Sequence, residues 1–322
     1  MPKLSDGAMT AGPQPADARL AAAPKIESQR IELGFAERTP EFVAICRQVD
    51  ALNRHGFELA QRGAIYSACQ EYKQSLQTIA DALDAQHASR AHRRMLAAGF
   101  KALDEAEDFG VGDIGSGAEV SVAEIARSHQ TPVLKGELKA DFNAQAAMGR
   151  YLTYAQEQLA GSVGDVSQGS AALFGLGKVY SAPSAAHGPK DSLGGAKAVV
   201  FYQASLMVDG RNFMAANELG VVLVRFGRLP EARAAFLHSL AISPQPIVWS
   251  NLAAVHQSLG ENELAERARR SAIAAANQTG SGAALSAYDV QWVDPATFAR
   301  SKPIDADPIN RVASSKQAAS GK

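Results

Sequence analysis

A chain of 322 residues is long enough to bury a large core, either as one elongated repeat domain or as about two globular ones. Its 46% apolar and 20% charged residues are ordinary for a water-soluble chain, and a net charge of −1 argues against nucleic acid or an anionic membrane surface as a partner. No apolar run approaches the roughly 18 residues that a membrane span needs.

Residues 1–38 are rich in Ala, Pro, Gly and charge without a sustained period, which reads as a mobile leader. They hold no apolar core of roughly 7–15 residues, so no secretory signal is expected in the chain as it stands. The cytoplasm is the expected compartment, although a leader already removed would leave the same sequence.

The span 39–161 begins with Thr39 as an N-cap and Pro40 at the first helical position. Within 40–83, Gly56, Leu59, Gly63, Ala68, Tyr72 and Leu76 mark a helical hairpin turning near Gly63. Cys46 and Cys69 fall on its two arms, roughly 16 Å out of step at about 1.5 Å per residue. A disulfide needs Cα atoms within about 7 Å, so two reduced thiols are expected. A long helix should follow over 88–109. Its basic start and acidic end oppose the helix dipole, so packing must hold it. Residues 110–136 read as an inserted loop with a short helix at 121–128 and a break at Pro132. A helix over 138–160 then carries Ala147-x3-Tyr151, the same small-to-aromatic step as Ala68-x3-Tyr72.

The span 168–278 holds three units, 170–210, 213–244 and 246–277. The first pairs Leu176-Gly177-x2-Tyr180 with Ala198-x3-Tyr202 and Leu206. The other two are copies offset by 33 residues. Leu219, Gly220, Leu223, Gly227, Ala232, Phe236 and Pro244 align with Leu252, Ala253, His256, Gly260, Ala265, Arg269 and Asn277. Leu219, Leu223 and Phe226 make one helical stripe, and Ala232, Phe236 and Leu240 make the next. Gly227 lies between the stripes, and Pro230 sits in the first turn of the second helix, where its missing N–H costs nothing. Gly220 and Ala232 lack bulk where the two helices approach, and Phe236 fills the gap. One such hairpin leaves an apolar face uncovered, so hairpins must stack. The helical signal ends at Gln278. In the tail, 279–322, residues 286–299 carry Tyr288, Val290, Trp292, Val293 and Phe298, which read as a cap on the last hairpin or as a short docking motif.

This pattern resembles the tetratricopeptide repeat, W-x2-L-G-x2-Y followed by A-x3-F and P. Trp249 and Leu252 carry its opening in the second copy; Leu219-Gly220, Ala232-x3-Phe236 and Pro244 carry it in the first. The departures are Ala216 where Trp is usual, and Arg269 and Asn277 where Phe and Pro are usual. Arg269 marks 246–277 as the exposed end of a stack. The resemblance implies an all-α, right-handed superhelical solenoid of antiparallel helix hairpins, whose first helices line a concave groove for extended or helical peptides. Equivalent inward positions are then Phe174, Asn217 and Ser250; Lys178, Val221 and Ala254; and Ser181, Val224 and Gln257, with Arg225 nearby. Asn217, Val221 and Val224 share one helix face, and an asparagine there can bond a ligand backbone. Relatives that clamp a C-terminal carboxylate place several Lys, Arg and Asn residues at such positions. Only Lys178 and Arg225 supply charge here, which does not fit that role.

Motifs for chemistry are few. Gly110, Gly112 and Gly115 spell G-x-G-x-x-G, but a helix rich in Asp104, Glu105, Glu107 and Asp108 precedes them where a dinucleotide site needs a strand. Asp108, Asp113 and Glu119 lack the spacing of a calcium loop, and the seven histidines form no pair at metal-ligand spacing. No nucleophile motif appears. The expected function is therefore a scaffold or adaptor that binds a peptide of a partner protein, without catalytic residue, metal or cofactor. A structural subunit of a larger assembly and an enzyme with an unrecognised site are the alternatives. A large exposed apolar patch would favour the former, a convergent polar pocket the latter.

Overall fold

The structure, a computed structural model, describes residues 38–110, 122–136, 143–182 and 193–278. Contacts divide the chain into two units, Met1–Ala272 and Ile273–Lys322. Of the second unit, only residues 273–278, the end of the last helix, are described. Gly112, Asp113, Gly115, Glu119 and the 286–299 cluster lie outside the described residues.

Every regular element among the described residues is a helix: α1 (Pro40–Gln61), α2 (Ile65–Gln86), α3 (Ala91–Glu107), α4 (Val122–Ser128), α5 (Ala144–Val163), α6 (Ser167–Ser181), α7 (Gly194–Val208), α8 (Phe213–Arg225), α9 (Leu229–Ile242), α10 (Pro246–Ser258) and α11 (Asn262–Gln278). No helix among these residues is long and apolar enough to cross a membrane.

Caps set the boundaries. Thr39 accepts the Phe42 N–H at 3.2 Å, with Pro40 opening α1 as expected. α5 starts at Ala144, because Asn143 accepts the Ala146 N–H at 2.7 Å and holds extended backbone itself; the expected start at Leu138 lies outside the described residues. α3 starts at Ala91 rather than Ala88. Ala88 has φ of 48°, in the left-handed region that ends α2 rather than beginning α3. The α3 cap comes from the preceding helix: the Asp84 carboxylate accepts the N–H groups of His92 at 3.0 Å and Arg93 at 3.1 Å. No local residue pattern announces a cap of that kind.

Neighbouring helices pair: α1 with α2, α3 with α5, α6 with α7, and α8 with α9. α7 packs on α8 and α9 on α10, but outside its own pair α6 sits chiefly on α2, with the α3–α5 pair laid against α2 and α7. Packing order thus departs from chain order. The cause is a glycine-aromatic fit. The Tyr72 ring rests over Gly56 of its own pair, where an added Cβ would come within 3.0 Å, and over Gly175 of α6. Tyr202 covers Gly177 in the same way. A Cβ on Gly220 would lie 2.5 Å from the Phe236 ring, so the close approach read from Gly220 is real. Tyr202 and Phe236 are fully buried, each contributing roughly 1.5–3 kcal/mol.

Buried polar ties hold the dipole-opposed α3. The Glu105 carboxylate, 3% exposed, accepts the Gln130 N–H at 2.6 Å and both the N–H and hydroxyl of Thr131. His129 joins Tyr151 Oη at 2.7 Å to Asp108 Oδ2 at 3.0 Å. Lys197 of α7 pairs with Glu107 of α3, its ammonium 5.3 Å from the Tyr180 ring centre. Cys46 and Cys69 are free, half-buried thiols, both pushed up by burial.

Candidate partner-binding face on α6, α8 and α10

Asn212 sets α8 against its neighbours. Its Oδ1 accepts the Ala215 N–H at 3.1 Å, and its Nδ2 donates to the hydroxyls of Ser170 on α6 and Ser205 on α7, each at 3.1 Å. Those serines bond each other's carbonyls, at 3.0 and 2.9 Å, so the three helices share one buried polar node. α10 opens on Pro246 and packs through Val248 and Leu252 against Val221, Phe236 and Leu240.

The face residues expected from the sequence divide into three sorts. Val221 is 6% exposed and Val224 half-buried, both in the apolar layer with α9 and α10, so Val221 is floor rather than contact surface. Phe174 is half-buried beside Tyr202, ring centres 6.0 Å apart. A second sort links one helix to the next. Lys178 pairs with Glu218 at 3.0 Å. Asn217 Oδ1 accepts from Asn251 Nδ2 at 3.1 Å, and Arg225 Nη1 donates to the Ser181 carbonyl at 3.2 Å. The third sort stands apart: Ser250 turns its hydroxyl back to the Pro246 carbonyl at 3.1 Å, and Gln257 accepts from Arg269 of α11. Ser181 bonds Tyr202 Oη at 3.1 Å; burial and the nearby Glu218 push that phenol far up, so it stays neutral.

Glu218 and Asn251 complete the cross-helix bonds and were not apparent from the repeat alignment alone. Met214 and Ile247 were also missed. They are 49% and 41% exposed, occupy equivalent places 33 residues apart, and lie one turn before Asn217 and Ser250 on the same helix face. The offset that paired the other positions also pairs these; only exposure singles them out.

Elsewhere, a cleft of about 170 Å³ lies between the start of α1 and the start of α6, lined by Arg38, Phe42, Val43, Cys46 and residues 165–168. Its only thiol is pushed up by burial, with Asp50 adding, which disfavours the thiolate that nucleophilic chemistry requires. Among the described residues, no group of three His, Cys, Asp or Glu is arranged to hold a metal. The His129–Tyr151 bond lies in the core, where Tyr151 is fully buried and its phenol pushed up to about 12 by burial, so it braces the fold.

A scan against protein-family models finds no match, and a search of curated proteins finds none.

Proposed function

We propose that this chain is an interaction scaffold or adaptor of the tetratricopeptide type, a right-handed superhelical solenoid that binds a peptide segment of a partner protein across α6, α8 and α10. The supporting observation is the ladder of equivalent residues on three neighbouring helices. Phe174, Asn217 and Ser250, with Lys178, Val221 and Ala254 one turn on, share one side of their helices, over an apolar floor at Val221. Asn217 uses its oxygen on Asn251, leaving its amide N–H groups available to a peptide carbonyl. This reading needs no catalytic group, metal or cofactor.

Capture from native lysate with chemical crosslinking, read by mass spectrometry, tests the proposal. The wild-type chain is compared with a Lys178→Ala, Asn217→Ala double variant. Alanine is preferred to glutamate at 178, because a carboxylate there would face Glu218. Partners held by the wild type and lost from a variant with unchanged circular dichroism support the face. Partners held equally by both overturn it.

A further inference from the structure

The face is polarised along its helices, and that polarity carries a more specific inference resting on the peptide-binding reading. At the helix starts it is apolar, with Met214 and Ile247 about half-exposed on adjacent helices and Ala171 at the equivalent place on α6. At the helix ends it is cationic. Lys178 is balanced by Glu218, whereas the exposed Arg225 donates to a backbone carbonyl and forms no ion pair among the described residues. Among the described residues of the face, these two cations and one carboxylate leave a net positive charge. Met214 and Arg225 stand on one side of α8, roughly 16 Å apart at about 1.5 Å per residue. A chain crossing the helices at the level of Asn217 has one edge toward Met214 and Ile247 and the other toward Arg225. In an extended peptide, alternate side chains point to opposite sides.

We propose that the occupant is an extended peptide with alternating apolar and acidic side chains, the apolar ones over Met214 and Ile247 and a carboxylate over Arg225. The two apolar side chains would sit two residues apart, so that both point to the edge carrying Met214 and Ile247.

A randomised twelve-residue peptide display library panned against the full chain tests this. The expected winners alternate apolar and acidic residues. Met214→Ser with Ile247→Ser, both surface positions, should weaken the best winner about tenfold, as should Arg225→Glu. Arg225→Glu should also recover binding to that winner when its acidic residues are changed to lysine, a reversal that a purely structural role for Arg225 would not produce. Winners that compete for the face but lack the pattern, or charge-swapped peptides that gain nothing, overturn this inference while leaving the peptide-binding reading in place. A library without winners overturns both.

Discussion

Three glycines separate the reasons a helical protein uses that residue. Gly220 lies in α8 with the Phe236 ring where its Cβ would be, so Gly220→Ala should cost about 1–3 kcal/mol by overpacking. Gly149 lies in α5 with nothing within 4 Å of an added Cβ, and Gly149→Ala should stabilise by roughly 0.5–1 kcal/mol through helix propensity alone. Gly227 also has open space, but its φ of 70° turns the chain between α8 and α9, so alanine there should cost about 1 kcal/mol in backbone strain. Urea denaturation of the three variants reads the signs directly. A neutral Gly220→Ala would mean that Phe236 does not rest on that glycine. At this scale the small-to-aromatic spacing was legible, since Gly220, Ala232 and Phe236 are close in sequence and their sizes are complementary.

At the scale of elements, the α2–α3 junction carries the clearest dependence on pH. Burial pushes the Asp84 carboxyl up, but the N–H groups of Arg93 and His92 and the Ser89 hydroxyl outweigh it and hold it below the usual carboxylate range. Burial pushes His92 down, with the Ser162 carbonyl and Asp84 opposing and His87 adding to the fall. Both groups bind fewer protons folded than unfolded, so stability rises with pH across each window. His92 contributes fully above its unfolded pKa of about 6.5, and Asp84 above about 3.9. Each contribution is lost as pH falls from there through the lower folded value. Thermal melts should therefore be flat between pH of about 7 and 8, decline as pH falls from about 6.5, and decline again below about 4. His92→Gln should remove the first step and Asp84→Asn the second. A first step that survives in His92→Gln would assign it to another group. Neither residue stood out in the sequence, because a cap reaching in from the previous helix and a histidine bonded to the Ser162 carbonyl are contacts across the fold.

For the molecule as a whole, the α3–α5 pair matters because it lies against both α2 and α7. In a stack where each pair touches only the next, damage to one pair can stay local. Here a cavity in the α3–α5 pair should be felt further away. Leu159 is fully buried where Gly99 makes room for it, and Leu159→Ala should cost about 2–5 kcal/mol. In a Trp292→Phe background, circular dichroism and the fluorescence of Trp249 on α10 should then shift together in one transition. An early loss of helix with an unmoved Trp249 signal would show that the α3–α5 pair melts alone.

The sequence by itself determined that the chain is helical and that neighbouring helices pair. Those features rest on residues a few turns apart: caps such as Thr39, turn glycines such as Gly227, and small residues facing aromatic ones. Only the tertiary structure decided that α6 packs on α2, since Tyr72 and Gly175 are brought together from opposite sides of the α3–α5 pair. It also decided how the face is used: Val221 as floor, Lys178 and Asn217 bonded to Glu218 and Asn251, and Met214 and Ile247 left in solvent. A repeat alignment gives each residue its place on a helix. Whether that place is covered, paired or open depends on the next helix, which the fold alone supplies.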